Sequence, residues 1–385
     1  MSSDPLRAFS FGALLLLAVL LFPANSGAIT DAVAVRYFPD VTTVLGGQTF
    51  DDEDVVEDYL DGSVSQISLG AIPPAAALTA YHVRAGGTQV VSFDTTVTLP
   101  GGLVADPGDV VQTNFDGTAA YTMVFDASAN GVPPGAMVDA IAFVNSIGGD
   151  ILLSFDTTVA LPGPITADDE DLVRKTGSSF TILFDGTAAG VPTGLDLDGA
   201  NLVYANAHLL LSFDDSGTVG GVNFTDEDIL EYTPSGSTWE MAYDGSALHS
   251  DWPAANLGGA NVLTDIDSDE IPDEFETNTG TYVSVYDTGT DSTDADTDND
   301  ALSDGVETNT GTFVSAQDTG TDPLDTDTDN DGFSDGVEVA AGTNPNDPAS
   351  NPSGQIPTLG AYGALALMVA LAGAARRVLR KRRVP

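Results

Sequence analysis

Cysteine is absent from the 385 residues, which excludes disulfide staples, thiolate metal sites and thiol nucleophiles together. Basic residues are scarce as well, with 11 Lys and Arg against 58 Asp and Glu. Six of those eleven lie between Arg376 and Arg383 and one is Arg7, so only Arg36, Arg84, Arg174 and Lys175 serve the long stretch between. A body this acidic repels nucleic acid and anionic lipid surfaces and attracts cations. Histidine occurs three times, as His82, His208 and His249. No Gly-x-Ser-x-Gly, His-Glu-x-x-His or phosphate-cradling glycine loop is present. The expectation is a protein that is not an enzyme. Carboxylate pairs for glycoside cleavage are so easily found in such a chain that their presence carries no weight.

What is present does not read as disorder. Hydrophobic residues make up 42% of the chain and glycine is abundant at 41, a composition suited to short strands joined by turns. Residues 1–28 read as a secretory signal peptide: Arg7, an apolar run from Phe11 to Phe22, then the small residues Ser26-Gly27-Ala28. Residues 29–263 carry a weak repeat. "VVSFDTTVTLPG" (90–101), "LLSFDTTVALPG" (152–163) and "LLSFDDSGTVGG" (210–221) recur, each followed by an acidic stretch such as "DDEDLV" (168–173) or "TDEDIL" (225–230). "FDDEDVV" (50–56) occupies the same slot in a leading copy. Each copy offers short apolar runs bounded by Gly, Pro or Asp, the signature of antiparallel strands. The fold class expected is all-β: a repeat body of about four short-stranded units, propeller-like, with a β-sandwich as the alternative. Asp94, Asp156 and Asp214 repeat at equivalent strand ends, where turn capping is the expected role and a ligand-holding ring of acids the sharper alternative.

Residues 264–351 form a different array. Three copies of one acidic pattern stand in register: Asp265, Asp267, Asp269, Asp273 and Glu276; Asp296, Asp298, Asp300, Asp304 and Glu307; Asp327, Asp329, Asp331, Asp335 and Glu338. Two nearly identical spacers, "ETNTGTYVSVYDTGTD" and "ETNTGTFVSAQDTGTD", separate them. Carboxylates at alternate positions present oxygen ligands to one wrapped ion, and calcium accepts six to eight of them. Gly at position 6 permits the turn and Glu at position 12 closes the site with both oxygens. Gly332 meets the first requirement, whereas Glu270 and Ala301 stand in its place in the other copies. Three Ca²⁺ sites are therefore expected, the third the strongest. The Thr/Gly-rich spacers are poor helix formers, which disfavours a helix–loop–helix site. The pattern resembles bacterial thrombospondin type 3 repeats, which implies calcium-wrapped loops with little other core.

Residues 352–385 complete the chain. Ile356-Pro357-Thr358-Leu359 precedes a charge-free run, Leu359 to Ala375, and then the basic cluster. The run is at the short limit for a transmembrane helix, and the basic end places the C-terminus in the cytoplasm. Motif, span and basic end together resemble the IPTL-CTERM sorting signals of Gram-negative bacteria, which are related to PEP-CTERM tails. Gly360-Ala361-Tyr362 departs from the commonest continuation of that motif. The resemblance implies an exosortase-type sorting protease as partner, with the protein anchored in the inner membrane during sorting and then delivered to the cell envelope, cell surface or exterior. The function expected is calcium-stabilised surface display, structural or adhesive, in contact with extracellular polysaccharide or matrix. An exported carbohydrate-binding or hydrolytic enzyme on the same stalk is the alternative.

Overall fold

The short apolar runs of the body become four four-stranded antiparallel sheets. A computed structural model describes residues 31–352, apart from 74–75, 115–119, 145–148, 204–207, 250–251 and 253–254. The expected signal peptide, most of the sorting tail and the span 359–375 lie outside the described residues. Among those that are described, no helix is long and apolar enough to cross a membrane.

Each sheet is one blade of a four-bladed propeller, and the sandwich alternative is set aside. Blade two runs Leu78–Arg84, Thr88–Phe93, Val110–Thr113 and Thr122–Phe125. Blade three runs Val138–Phe143, Ile151–Phe155, Leu172–Thr176 and Ser179–Phe184. Blade four runs Leu197–Val203, His208–Phe213, Ile229–Thr233 and Thr238–Tyr243. Blade one takes its last three strands from the start of the body, Ala32–Pro39, Val55–Asp58 and Val64–Ile67, and its first from the end, Leu257–Thr264. That late strand pairs antiparallel with Ala32–Pro39, so the ring closes through hydrogen bonds between the two ends of the body. A closed ring leaves no blade to stack against solvent, which is how a propeller manages its sheet edges.

The first strands of the four blades pack against one another around the axis. Small residues make this approach possible. A Cβ on Gly199 would lie 2.4 Å from the Ala260 backbone nitrogen, and one on Gly259 would lie 3.0 Å from Tyr81 Cβ. Between neighbouring blades lie four apolar cores. The recurring "FD" signature explains part of them: Phe93, Phe155 and Phe213 are almost wholly buried at the ends of equivalent strands. Burying a side chain of this size contributes about 1.5–3 kcal/mol.

The aspartates that follow these phenylalanines accept backbone N–H groups at the approach to the paired inner strand, far along the chain, rather than in their own turns. Asp94 accepts the Ala77 N–H at 3.1 Å, Asp156 that of Met137 at 2.7 Å, Asp214 that of Asp196 at 2.8 Å, and Asp40 in blade one that of Asn256 at 2.9 Å. The acidic stretches have the same use: Asp109, Asp171 and Asp228 each accept two backbone N–H groups, one local and one from the following turn. Much of the negative charge in the body is therefore spent on backbone donors that would otherwise go unpaired.

His82 and His208 sit on different strands of their blades. His82 lies on the axial strand of blade two and accepts from Asn261 Nδ2 at 3.2 Å, whereas His208 opens the second strand of blade four and pairs with Glu231. His249 Nε2 donates to Asp58 Oδ2 at 2.6 Å, and the Tyr243 hydroxyl donates to the same oxygen at 2.7 Å. These bonds join the last turn of blade four to blade one beside the closure.

The chain divides into two compact units at Thr297 and Asp298. The first unit holds the propeller and the first acidic copy. Phe275, on the short 3₁₀ turn Asp273–Phe275, is buried in the apolar core shared by blades one and two, with Phe38 and Tyr81. The Arg36 guanidinium lies 5.6 Å from the centre of its ring. The second unit holds the rest of the array.

Candidate metal sites

Aspartate forms neither strand nor helix readily, and each acidic copy is held as a loop by its own carboxylates. In the first, Asp265 accepts the backbone N–H groups of Ser268 at 2.7 Å and Glu270 at 3.1 Å. In the third, Asp327 accepts those of Asp331 at 3.1 Å and Gly332 at 2.9 Å, and Asp331 accepts that of Phe333 at 3.0 Å. The backbone at position 6 takes a positive φ in all three copies: +82° at Glu270, +78° at Ala301 and +97° at Gly332. This left-handed region favours glycine, so the first two copies carry the backbone strain expected from their sequence.

These turns gather oxygen. One ligand atom from each of Asp265, Asp267 and Asp269 falls within 4.8 Å of the other two, and so do those of Asp327, Asp329 and Asp331. Asp296 is the last acidic residue of the first unit, and Asp298 and Asp300 open the second.

The Glu at position 12 stays with its own copy and also meets a residue of the next. Glu307 joins Asp300 of its own copy and Asp335 of the next, all three buried and with ligand atoms within the same 4.8 Å. The chain makes a 3₁₀ turn, Asp304–Val306, immediately before Glu307. Thr321, in the repeated "DTGTD", holds Glu307 by donating its hydroxyl at 2.9 Å, and Thr290 holds Glu276 in the same way at 3.0 Å. Position 9 has two duties. Asp335 belongs to the cluster and also accepts the Thr328 hydroxyl at 2.6 Å, while Asp273 accepts the Thr264 hydroxyl at 2.6 Å and the Ile266 N–H at 3.0 Å. Asp304 is buried, as are Glu276 and Glu338. The third copy ends in a short helix, Asp335–Ala341, which carries its Asp335 and Glu338 and is ended by Gly342 at φ +73°.

The electrostatics favour a cation. Burial pushes the Glu307 carboxyl up to about 9, with Thr321 opposing and Asp300, Asp298 and Asp304 adding to the rise. Burial likewise pushes Asp335 up to about 6 and Glu338 up to about 7. Buried carboxylate oxygens of Glu307, Asp329, Asp331 and both of Glu338 meet no hydrogen-bond donor. Orphaned acceptors of this kind are costly unless a positive charge shares the site. The donors are all oxygen, which suits a hard ion such as calcium better than zinc or copper.

Residues 296–312 and 327–348 match the protein family described as Bacterial TSP3 repeat. Repeats of this family bind calcium, and the acidic clusters could hold a metal ion. The first copy lies outside the matched residues. No curated protein matches the chain. Among solved structures, a hemopexin fold protein CP4 from cow pea aligns at 10% identity, covering 56% of this chain and 96% of its own, with a TM-score of 0.32. A putative TolB from Agrobacterium tumefaciens aligns at 9% identity, covering 56% and 71%, with a TM-score of 0.26.

Proposed function

We propose that this is an exported surface protein in which a β-propeller is displayed on a calcium-stabilised stalk, acting in adhesion or matrix contact without catalysing a reaction. One observation carries the reading: Asp300 and Glu307 of one copy and Asp335 of the next converge as buried carboxylates. Such a cluster repels itself unless an ion neutralises it, so calcium would set the spacing of successive copies and thus the length of the stalk. The ligands in this reading are Asp265, Asp267, Asp269, Asp273 and Glu276 with their equivalents in the other two copies. Extracellular modules of this chemistry bind at about 10⁻⁴–10⁻³ M.

The secretory signal and the IPTL-like tail belong to the same reading. Export brings the protein to millimolar calcium, and an exosortase-type protease would act near Ile356 to Leu359 before delivery to the envelope or surface. Replacing Pro357 and Thr358 with Ala in the native host tests the tail: retention of full-length protein in the inner membrane is expected, and an unchanged mature mass and cell fraction reduces the tail to an anchor. The stalk is tested by titrating the purified chain with calcium while following heat and hydrodynamic radius. Saturable binding with a change of dimension is expected. A chain that neither binds nor changes dimension at millimolar calcium overturns the reading.

A further inference from the structure

The first acidic copy is built into the propeller at the seam of the ring, where Leu257–Thr264 pairs with Ala32–Pro39. Thr264 faces Ala32 at the end of that pairing, and the next residue, Asp265, is position 1 of the loop. The Asp265 backbone N–H donates to the Asp31 carbonyl at 2.9 Å, which carries the seam one bond into the loop. The Asp265 carboxylate meanwhile accepts the N–H groups of Ser268, Asp269 and Glu270, at 2.7, 3.3 and 3.1 Å. Position 9 adds a second tie, because Asp273 accepts the Thr264 hydroxyl at 2.6 Å and the Ile266 N–H at 3.0 Å. The residues that end the ring are thus the residues that open the loop.

The other side of the loop is anchored as well. Phe275 lies in the core of blades one and two with Phe38, Tyr81 and Val83, and Ile271 and Tyr286 pack against the same core. The Tyr286 ring meets Phe275 edge-on, with centroids 5.3 Å apart. Asp287 accepts the Thr277 hydroxyl at 2.6 Å, and it lies so near the first turn of blade two that a Cβ on Gly86 would stand 3.5 Å from its Oδ2. Between seam and core, ligand atoms of Asp265, Asp267 and Asp269 are held within 4.8 Å of one another. Three carboxylates at that separation repel, and without a cation the repulsion works against both anchors.

We propose that the first acidic copy is a calcium-dependent lock on the ring. Occupied, the loop from Asp265 to Glu276 holds Thr264 and Asp265 in place and so keeps the closing strand on Ala32–Pro39; emptied, it lets the seam open more readily. This role rests on the calcium reading of the array and gives its first site a duty that spacing the stalk does not require. A ligand that binds the closed form and not the open one favours closure by the factor 1 + [L]/Kd. The competing explanation is that strand pairing alone holds the ring, which makes the seam indifferent to calcium.

Hydrogen exchange of the full chain, with calcium and after chelation, tests the lock. For a Kd of about 10⁻⁴–10⁻³ M, about 10 mM calcium should slow exchange along Ala32–Pro39 and Leu257–Thr264 about ten- to a hundredfold. Ile151–Phe155 and Leu172–Thr176, in the middle of blade three, should change much less. Equal slowing there overturns the lock, because the ion then acts on the whole fold rather than at the seam. Asp267→Asn should lose the response at the seam, and Asp329→Asn, in the third copy, should keep it; the reverse pattern also overturns the lock. The wild-type comparison decides without either variant. Calorimetry on the same samples separates two failures: calcium binding with an unchanged seam overturns the lock and leaves the calcium reading standing, whereas no binding overturns both.

Discussion

The backbone N–H of Gly336 donates to Oδ2 of Asp300 at 2.7 Å. This bond seats the third copy of the acidic array on the loop of the second and brings Asp335 to Asp300 and Glu307. The approach is so close that a Cβ at position 336 would lie 2.3 Å from the Asp300 carbonyl oxygen. Gly336→Ala should therefore push the copies apart, costing about 1–3 kcal/mol by overpacking. In calorimetry its calcium affinity should fall roughly tenfold, the equivalent of about 1.4 kcal/mol. Wild-type affinity in this variant would show that the contact does not set the site.

Ala301 and Gly332 occupy the same turn position with φ of +78° and +97°. Ala301→Gly should stabilise the array by about 1 kcal/mol, and Gly332→Ala should destabilise it by a similar amount. Glu270→Gly relieves the same strain but removes a carboxylate. Thermal unfolding in saturating calcium reads all three, and opposite signs for the first two are expected.

Glu307 and Asp335 come from different copies and meet in one cluster. Glu307→Gln and Asp335→Asn should each weaken calcium binding at least tenfold. The double variant should lose much less than the two effects added, because both act on the same ion. Additive losses would assign the two residues to separate ions.

His82 is buried beside Asn261, and burial, reinforced by the Arg84 charge, lowers its pKa to about 3. The folded state keeps it neutral where the unfolded chain, titrating near 6.5, takes up a proton. Its contribution is thus complete above about pH 6.5 and is lost as pH falls from there towards 3. At pH 5.5 the loss is about 1.4 kcal/mol relative to pH 7.5. His82→Gln should flatten the stability profile by that amount over this interval, measured by denaturant unfolding with tryptophan fluorescence. An unchanged slope would show that His82 is protonated in the fold.

Phe275 fills the core between blades one and two from the first acidic copy. Phe275→Ala should cost about 3–5 kcal/mol and make the segment between residues 264 and 297 sensitive to protease while blades three and four stay protected. Equal protection in both proteins would mean that the ring is not an anchor.

Several features were legible in the residues alone. The phenylalanine–aspartate repeats, with short apolar runs between turn residues, specify short strands, because strand and turn propensities act over a few neighbours. The acidic register likewise announces its turns: Asp at positions 1, 3 and 5 folds the loop locally, and the substitutions at Glu270 and Ala301 disclose strain before any fold is known.

Only the tertiary structure decided what lies across long separations. Nothing in "NLGGANVLT" says that it becomes the inner strand of blade one, because its partner Ala32–Pro39 lies at the other end of the body and pairing is set by ring closure. The spacing of Glu307 suggests that it closes its own loop, but nothing in it says that Asp335 of the next copy joins Glu307 and Asp300 in one buried cluster. The contact between Asn256 and Asp198 carries no motif at all, since it is ring closure that brings the closing strand's approach to blade four.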